Sequence, residues 1–86
     1  MSQYEVVFSK SAQKELTKLP KKANDRIVPA IINLSANPRP DWVKKIKGSS
    51  DVWRIRVGDY RVIYSIDEEI LIVDIRRIGH RKDVYE

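Results

Sequence analysis

Eighty-six residues, 42% hydrophobic and 34% charged, make one small globular domain and leave no room for a second core. The absence of cysteine excludes disulfides and thiolate metal sites and suits a reducing cytoplasm. A formal net charge of +5 points to nucleic acid, to an acidic partner protein, or only to a well-solvated surface.

Tyr4-Glu5-Val6-Val7-Phe8 is a short β-like run. Its apolar part is too short for a signal-peptide core or a membrane span, so a cytoplasmic protein without membrane contact is expected. Ser9 offers an N-cap hydroxyl. Ala12, Leu16 and Leu19 then fall on one helical stripe between Lys10 and Leu19, and Pro20 closes it. A second stripe follows with Ala23, Ile27, Ala30, Ile31 and Leu34. Pro29 lacks the N–H that would bond the Asp25 carbonyl, so a kink is expected there, or a fresh helix start. Asn37-Pro38-Arg39-Pro40 ends the helical part.

Residues 41–52 read as a connection, with Trp42 and Val43 anchored to the core and Lys44, Lys45 and Lys47 on a solvated, anion-attracting face. Trp53 to Tyr64 reads as a hairpin around Gly58-Asp59, which suits a type II′ turn with its glycine at positive φ. In that register Val57 pairs with Tyr60, Arg56 with Arg61, Ile55 with Val62, Arg54 with Ile63 and Trp53 with Tyr64. Alternation then sorts the hairpin into two faces. Trp53, Ile55, Val57, Tyr60, Val62 and Tyr64 share the face that the helices cover. Arg54, Arg56 and Arg61 share the other. Arginines placed opposite each other cost stability in an ordinary sheet, and an unoccupied polyanion site is one reason to bear that cost.

Ile70 to Ile75 is the most apolar run and reads as a central strand buried on both sides. A short, polar, basic tail follows from Arg76 to Glu86. The predicted fold class is α+β: an N-terminal strand and a two-helix hairpin packed on an antiparallel sheet, in the order β-α-α-β-β-β. One domain spans residues 1–86.

Several chemistries lack their residues. There is no glycine-rich phosphate loop, no zinc-ligand cluster and a single histidine, so neither a metal, a cofactor nor a two-histidine ribonuclease mechanism is expected. What remains is arginine with tyrosine. Arg81 and Tyr85 lie four residues apart in the tail and reach the arginine face if the tail packs beside the sheet. Arginine presents a planar fork to phosphate oxygens and stays charged, and a tyrosine can stack on a base or move a proton. Arg54 and Arg61 also fit ordinary cross-strand pairing with carboxylates such as Asp74 or Glu5.

Trp53 to Tyr64 and Ile78-Gly79-His80-Arg81-Lys82-Asp83-Val84-Tyr85 resemble the two signature stretches of the RelE/ParE toxin superfamily. Lys45-Ile46-Lys47-Gly48 resembles that family's approach to the hairpin, and Phe8, Ala12, Leu16, Leu19 and Pro20 resemble its helical hairpin. The resemblance covers nearly the whole chain. It implies a small α+β toxin of a type II toxin–antitoxin pair. RelE-like members are ribosome-dependent, metal-independent endoribonucleases that cut messenger RNA in the A site. There the 2′-hydroxyl attacks the adjacent phosphate and leaves a 2′,3′-cyclic phosphate and a 5′-hydroxyl.

By motif, Arg54 and Arg56 take two strand positions that are lysines in the best-known RelE-like member, and Arg61, Arg81 and Tyr85 take the other catalytic positions. Lys44, Lys45, Lys47, Arg77, His80 and Lys82 are the remaining expected contacts to RNA or the ribosome. The implied partners are a cognate RelB-like antitoxin, the ribosome with its messenger RNA, and operator DNA bound through the antitoxin. The alternative within the superfamily is a ParE-like toxin, which binds DNA gyrase and has no nuclease chemistry. A third reading is an inactive scaffold that only binds its antitoxin.

Overall fold

The computed structural model describes residues 3–48 and 51–82. The elements run β1 (Glu5–Phe8), α1 (Lys10–Lys18), α2 (Lys21–Asn33), β2 (Lys44–Lys45), β3 (Val52–Val57), β4 (Tyr60–Asp67) and β5 (Ile72–His80). They form one five-stranded sheet in the order β1-β5-β4-β3-β2. The chain starts at one edge, passes through both helices to the opposite edge, and returns strand by strand. Adjacent strands are antiparallel except β1, which joins β5 in parallel with Val6 opposite Val73. The α+β class therefore stands, with a mixed sheet where an antiparallel one was expected.

Ser9 makes the first corner. Its N–H ends the β1 ladder on the Ile75 carbonyl at 2.9 Å. Its hydroxyl oxygen accepts from the Ala12 N–H at 3.0 Å, which caps α1, and donates to the Arg76 carbonyl at 3.0 Å. α1 ends before Leu19, and Pro20 leads into α2. α2 continues through Pro29, whose ring faces outward at an exposed position, so the helix does not restart there. Ala12, Ala23, Ile27, Ile31 and Leu34 are buried against Ile55, Val62, Tyr64, Ile66, Val73, Ile75 and Ile78 of the sheet. This is the expected helical stripe meeting the expected inner face of the hairpin.

The last strand differs most from its sequence reading. Ile70 is 63% exposed and β5 begins at Ile72. Asp67 Oδ1 accepts from the Glu69 and Ile70 N–H groups, and Leu71 takes φ 55°, so the chain is still turning where apolarity predicted a strand. β5 is also not buried on both sides, because Val73 and Ile75 are enclosed while Ile72 and Asp74 are only half-buried. It then runs on through Arg76 to His80, residues whose composition reads as a polar, basic tail.

A register shift permits that extension. Tyr64 pairs with Ile75 but Ile63 pairs with Arg77, leaving Arg76 as the extra residue of a β-bulge. Without it, strict alternation would turn Ile78 outward. With it, Arg76 and Arg77 are both exposed and Ile78 returns to the core at 1% exposure.

Beyond the end of β1, α1 covers the open flank of β5. Glu15 accepts from the Ile78 N–H at 2.9 Å and from Arg77 Nε at 3.0 Å. At the other edge, the expected connection contains β2, whose Lys44 and Lys45 pair with Arg54 and Trp53. Trp42, expected as a core anchor, is 59% exposed, and only Val43 packs on the core.

Tyr64 is fully buried and its hydroxyl donates to the Pro38 carbonyl at 2.7 Å, which locks the Pro-rich segment onto the sheet. Burial raises the Tyr64 phenol above its ordinary value, and the Arg39 charge opposes this in part. Replacing Tyr64 by Phe orphans the Pro38 carbonyl and is expected to cost about 1–2 kcal/mol in urea unfolding at neutral pH. A raised native value means the Tyr64 contribution is complete below the unfolded tyrosine value of about 10 and is lost as pH climbs past it. The wild type should therefore lose stability more steeply than Tyr64→Phe above about pH 10, as read by denaturant titration across that range.

Candidate functional site

The hairpin forms in the expected register, with Arg56 opposite Arg61 and Ile55 opposite Val62. Gly58 takes φ 61° and Asp59 follows without a positive φ, as a type II′ turn requires. The two faces separate as alternation demands. Ile55, Val62 and Tyr64 are fully buried under the helices, while Arg56 is exposed and Arg61 half-buried on the opposite side. Arg54 lies on the same side as Arg56 yet is 5% exposed. Ile63 beside it is 8% exposed, so part of the arginine face is enclosed rather than open.

β5 delivers the tail to this face. Because it reaches His80, the next residue lies beside the hairpin tip, and the Arg81 N–H bonds the Asp59 carbonyl at 2.8 Å. Arg56, Gly58, Asp59, Tyr60, Arg61 and Arg81 consequently line one groove of about 110 Å³. A wider groove of about 490 Å³ adjoins it, lined by Trp42, Lys44, Arg54 and Arg56. Arg56 belongs to both. The sheet thus brings Arg54, Arg56, Arg61, Arg81 and Lys44 to one surface.

Other expected residues lie elsewhere. Arg77 is bound to Glu15 at the β5 flank, and this hydrogen bond and charge hold its guanidinium proton more firmly than usual. His80 is half-buried on the helix-covered side, where its ring meets Tyr60 edge-on at 5.6 Å, in a cleft that also holds Glu15 and Lys18. Its Nδ1 accepts from the Lys82 N–H at 3.2 Å, which curls the chain after Arg81. Lys45 lies over the Trp53 ring at 5.9 Å, and Arg39 lies over the same ring at 5.1 Å while pairing with Glu68. Lys47 is exposed beyond β2. Tyr85 is outside the described residues.

The sequence reading missed Arg26, Arg39 and Trp42. None lies in a strand or in the tail, and helical or loop spacing does not report which of them turns toward the sheet. Arg26 reaches from α2 to the hairpin tip so closely that a Cβ on Gly58 would stand 2.8 Å from its Nη1.

Chemically, the arrangement gathers guanidinium groups around one groove, the chemistry that recognises phosphate, and no histidine stands among the described residues lining it. Among the described residues no three His, Asp or Glu side chains converge as a metal site would need. No described helix is long and apolar enough to cross a membrane.

The chain matches, over residues 6–85, the family described as the ParE toxin of type II toxin–antitoxin systems, parDE. It is 35% identical over 85 residues to Toxin RelE3 of Methanocaldococcus jannaschii, with 94% of each chain covered. Among solved structures it resembles the archaeal RelE–RelB complex of Pyrococcus horikoshii at a TM-score of 0.81 and 32% identity, covering 98% of this chain and 100% of that one. It also resembles the toxin–antitoxin complex RelBE2 of Mycobacterium tuberculosis at a TM-score of 0.80 and 32% identity, covering 92% and 99%.

Gly58→Ala combines a left-handed backbone with contact against Arg26, and is expected to cost about 1–2 kcal/mol from the backbone alone. The same change in an Arg26→Ala background should cost less, by whatever the contact adds. A double-mutant cycle in urea measures that difference, and a coupling of zero would mean that Arg26 simply swings away.

Proposed function

The chain belongs to the RelE/ParE toxin superfamily, and on that premise we propose that it is a toxin that cleaves messenger RNA in the ribosomal A site and is neutralised by a cognate RelB-like antitoxin. The observation that carries this reading is the hydrogen bond from Arg81 to Asp59, which puts the tail arginine in one groove with Arg56 and Arg61. Phosphate recognition by several guanidinium forks is the chemistry such a groove supports best.

In this mechanism Arg61 clamps the scissile phosphate. The 2′-oxygen attacks phosphorus as its proton leaves, the bond to the 5′-oxygen breaks, and that oxygen takes up a proton. Arg54 and Arg56 stabilise the added charge of the five-coordinate phosphorus, and Arg81 does so at the leaving oxygen or gives it the proton. Arginine holds its proton too firmly to act as a general base at neutral pH. The attacking hydroxyl therefore passes its proton to water or to Tyr85, which otherwise stacks on the displaced base. Lys44, Lys45, Lys47 and Lys82 add positive charge for RNA or the ribosome, and Arg77 and His80 contribute less because of where they lie.

A net charge of +5 suits an acidic antitoxin that wraps the domain, and antitoxin complexes among the structural relatives support such a partner. Operator DNA would be reached through that antitoxin. The family description names ParE, and the second reading is accordingly a ParE-like toxin whose target would be DNA gyrase. The arginine groove is the reason to prefer RNA.

Mapping 5′ ends of a defined messenger RNA in a reconstituted translation system tests the proposal. New ends within the A-site codon, absent without ribosomes, are expected. Arg61→Ala and Arg81→Ala should each lower cleavage by about 100-fold or more. Arg77→Ala should act far more weakly. Intact RNA from a protein that still arrests growth, together with inhibited supercoiling, would replace this reading with the gyrase one.

A further inference from the structure

We propose that Trp42 is the stacking platform of a nucleotide subsite, where a base of single-stranded RNA lies on the indole and Lys44 and Arg56 hold the adjoining phosphates. The proposal rests on the nuclease reading above and extends it to a residue outside the hairpin and tail.

Trp42 leaves 59% of its surface in water, although Val43 beside it packs on the core. A large exposed aromatic in so small a domain forgoes burial that the fold otherwise needs. The side chain also borders a cleft with Ala30, Leu34 and Pro40 at the end of α2. Toward the sheet it forms one wall of the 490 Å³ groove whose other lining residues, among those described, are Lys44, Arg54 and Arg56. That volume falls within the range usual for small-molecule sites, about 300–1,000 Å³.

Strand register gives the same grouping independently. Lys44 lies directly opposite Arg54 on β3, and Arg56 is two residues further along the same face. Lys44 and Arg54 thus share one cross-strand position, as Arg56 and Arg61 do, so the register itself gathers cationic residues on this face. Arg54, at 5% exposure, is fixed in the groove wall and does not sweep through solvent.

An aromatic face flanked by cations is the pattern that binds single-stranded nucleic acid. The bases stack while the phosphates are neutralised. An acidic peptide would satisfy the charges but leave the indole face unused. Because Arg56 lines both grooves, a strand whose scissile phosphate sits at Arg61 and Arg81 can place a neighbouring nucleotide on Trp42.

The probe is a short 2′-O-methyl oligoribonucleotide, which cannot be cut and needs no ribosome. The chain has two tryptophans, so its emission reports on Trp42 and Trp53 together. Saturable quenching is expected in the wild type. Trp42→Leu should lose most of it and bind about tenfold more weakly by an independent titration, while Trp42→Tyr should recover most of the affinity. In the translation system Trp42→Leu should need more protein for half-maximal cleavage, and Trp42→Tyr should restore it.

Equal RNA affinity in wild type and a Trp42→Leu variant that is folded by circular dichroism overturns the subsite. If Arg61→Ala still abolishes cleavage in that case, the nuclease reading survives without it. Trp42→Leu that keeps RNA affinity but releases a co-expressed antitoxin also overturns it, assigning the indole to a protein contact. If the wild type cuts nothing, the nuclease reading falls by itself, and the quenching titration still decides whether RNA stacks on Trp42.

Discussion

A one-residue slip of β3 against β4 would turn Ile55 to the surface and carry Arg56 into the core, while Val62 and Arg61 stay as β5 holds them. That penalty is what holds the arginine face together. Arg56 and Arg61 stand opposite each other because the pairing is set from behind, by Ile55, Val62 and Tyr64 packed under the helices. Gly58 closes the turn at the length that keeps this register. The chemistry on one face is thus maintained by apolar packing on the other, and the two cannot vary independently.

The second constraint is the bulge at Arg76. It restores Ile78 to the core after two consecutive outward residues and so lets β5 continue to His80. The strand's length, in turn, decides where Arg81 stands. A β5 that ended with its apolar run at Ile75 would leave Arg81 far from the hairpin tip. Ser9 bonds both sides of this irregularity, with its N–H on the Ile75 carbonyl and its hydroxyl on the Arg76 carbonyl. A serine that caps a helix therefore also steadies the part of the sheet that carries the tail to the groove.

How much of this could be read in the sequence depended on how local its determinants are. The hairpin could be read residue by residue, because alternation and a glycine turn act within a few residues. The same held for Ser9 as a cap and for the stripe from Ala23 to Leu34. The start of β5 could not, since Asp67 capping its own turn outweighed the apolarity of Ile70 and Leu71. The bulge was hidden as well, because two adjacent arginines look like tail composition until a core demands Ile78. β2 is held by pairing with β3, and its two lysines carry no strand pattern of their own. At the site, the hairpin arginines followed from spacing. The burial of Arg54, the pairing of Arg77 with Glu15 and the exposure of Trp42 arise from contacts between distant segments, which no spacing encodes.

The parallel pairing of β1 with β5 has a consequence for the order of events during synthesis. Val6 waits for Val73, and Ser9 for Ile75, so β1 has no place in the sheet until β5 emerges. Contacts of such long sequence separation close late and slowly. The helices and the β3–β4 hairpin can form earlier, but the element that brings Arg81 to them is the same one that completes the sheet. A partly translated chain accordingly lacks both its finished core and its assembled arginine groove. For a protein whose proposed target is the ribosome, the groove therefore assembles only with β5, after the helices and the hairpin have been made.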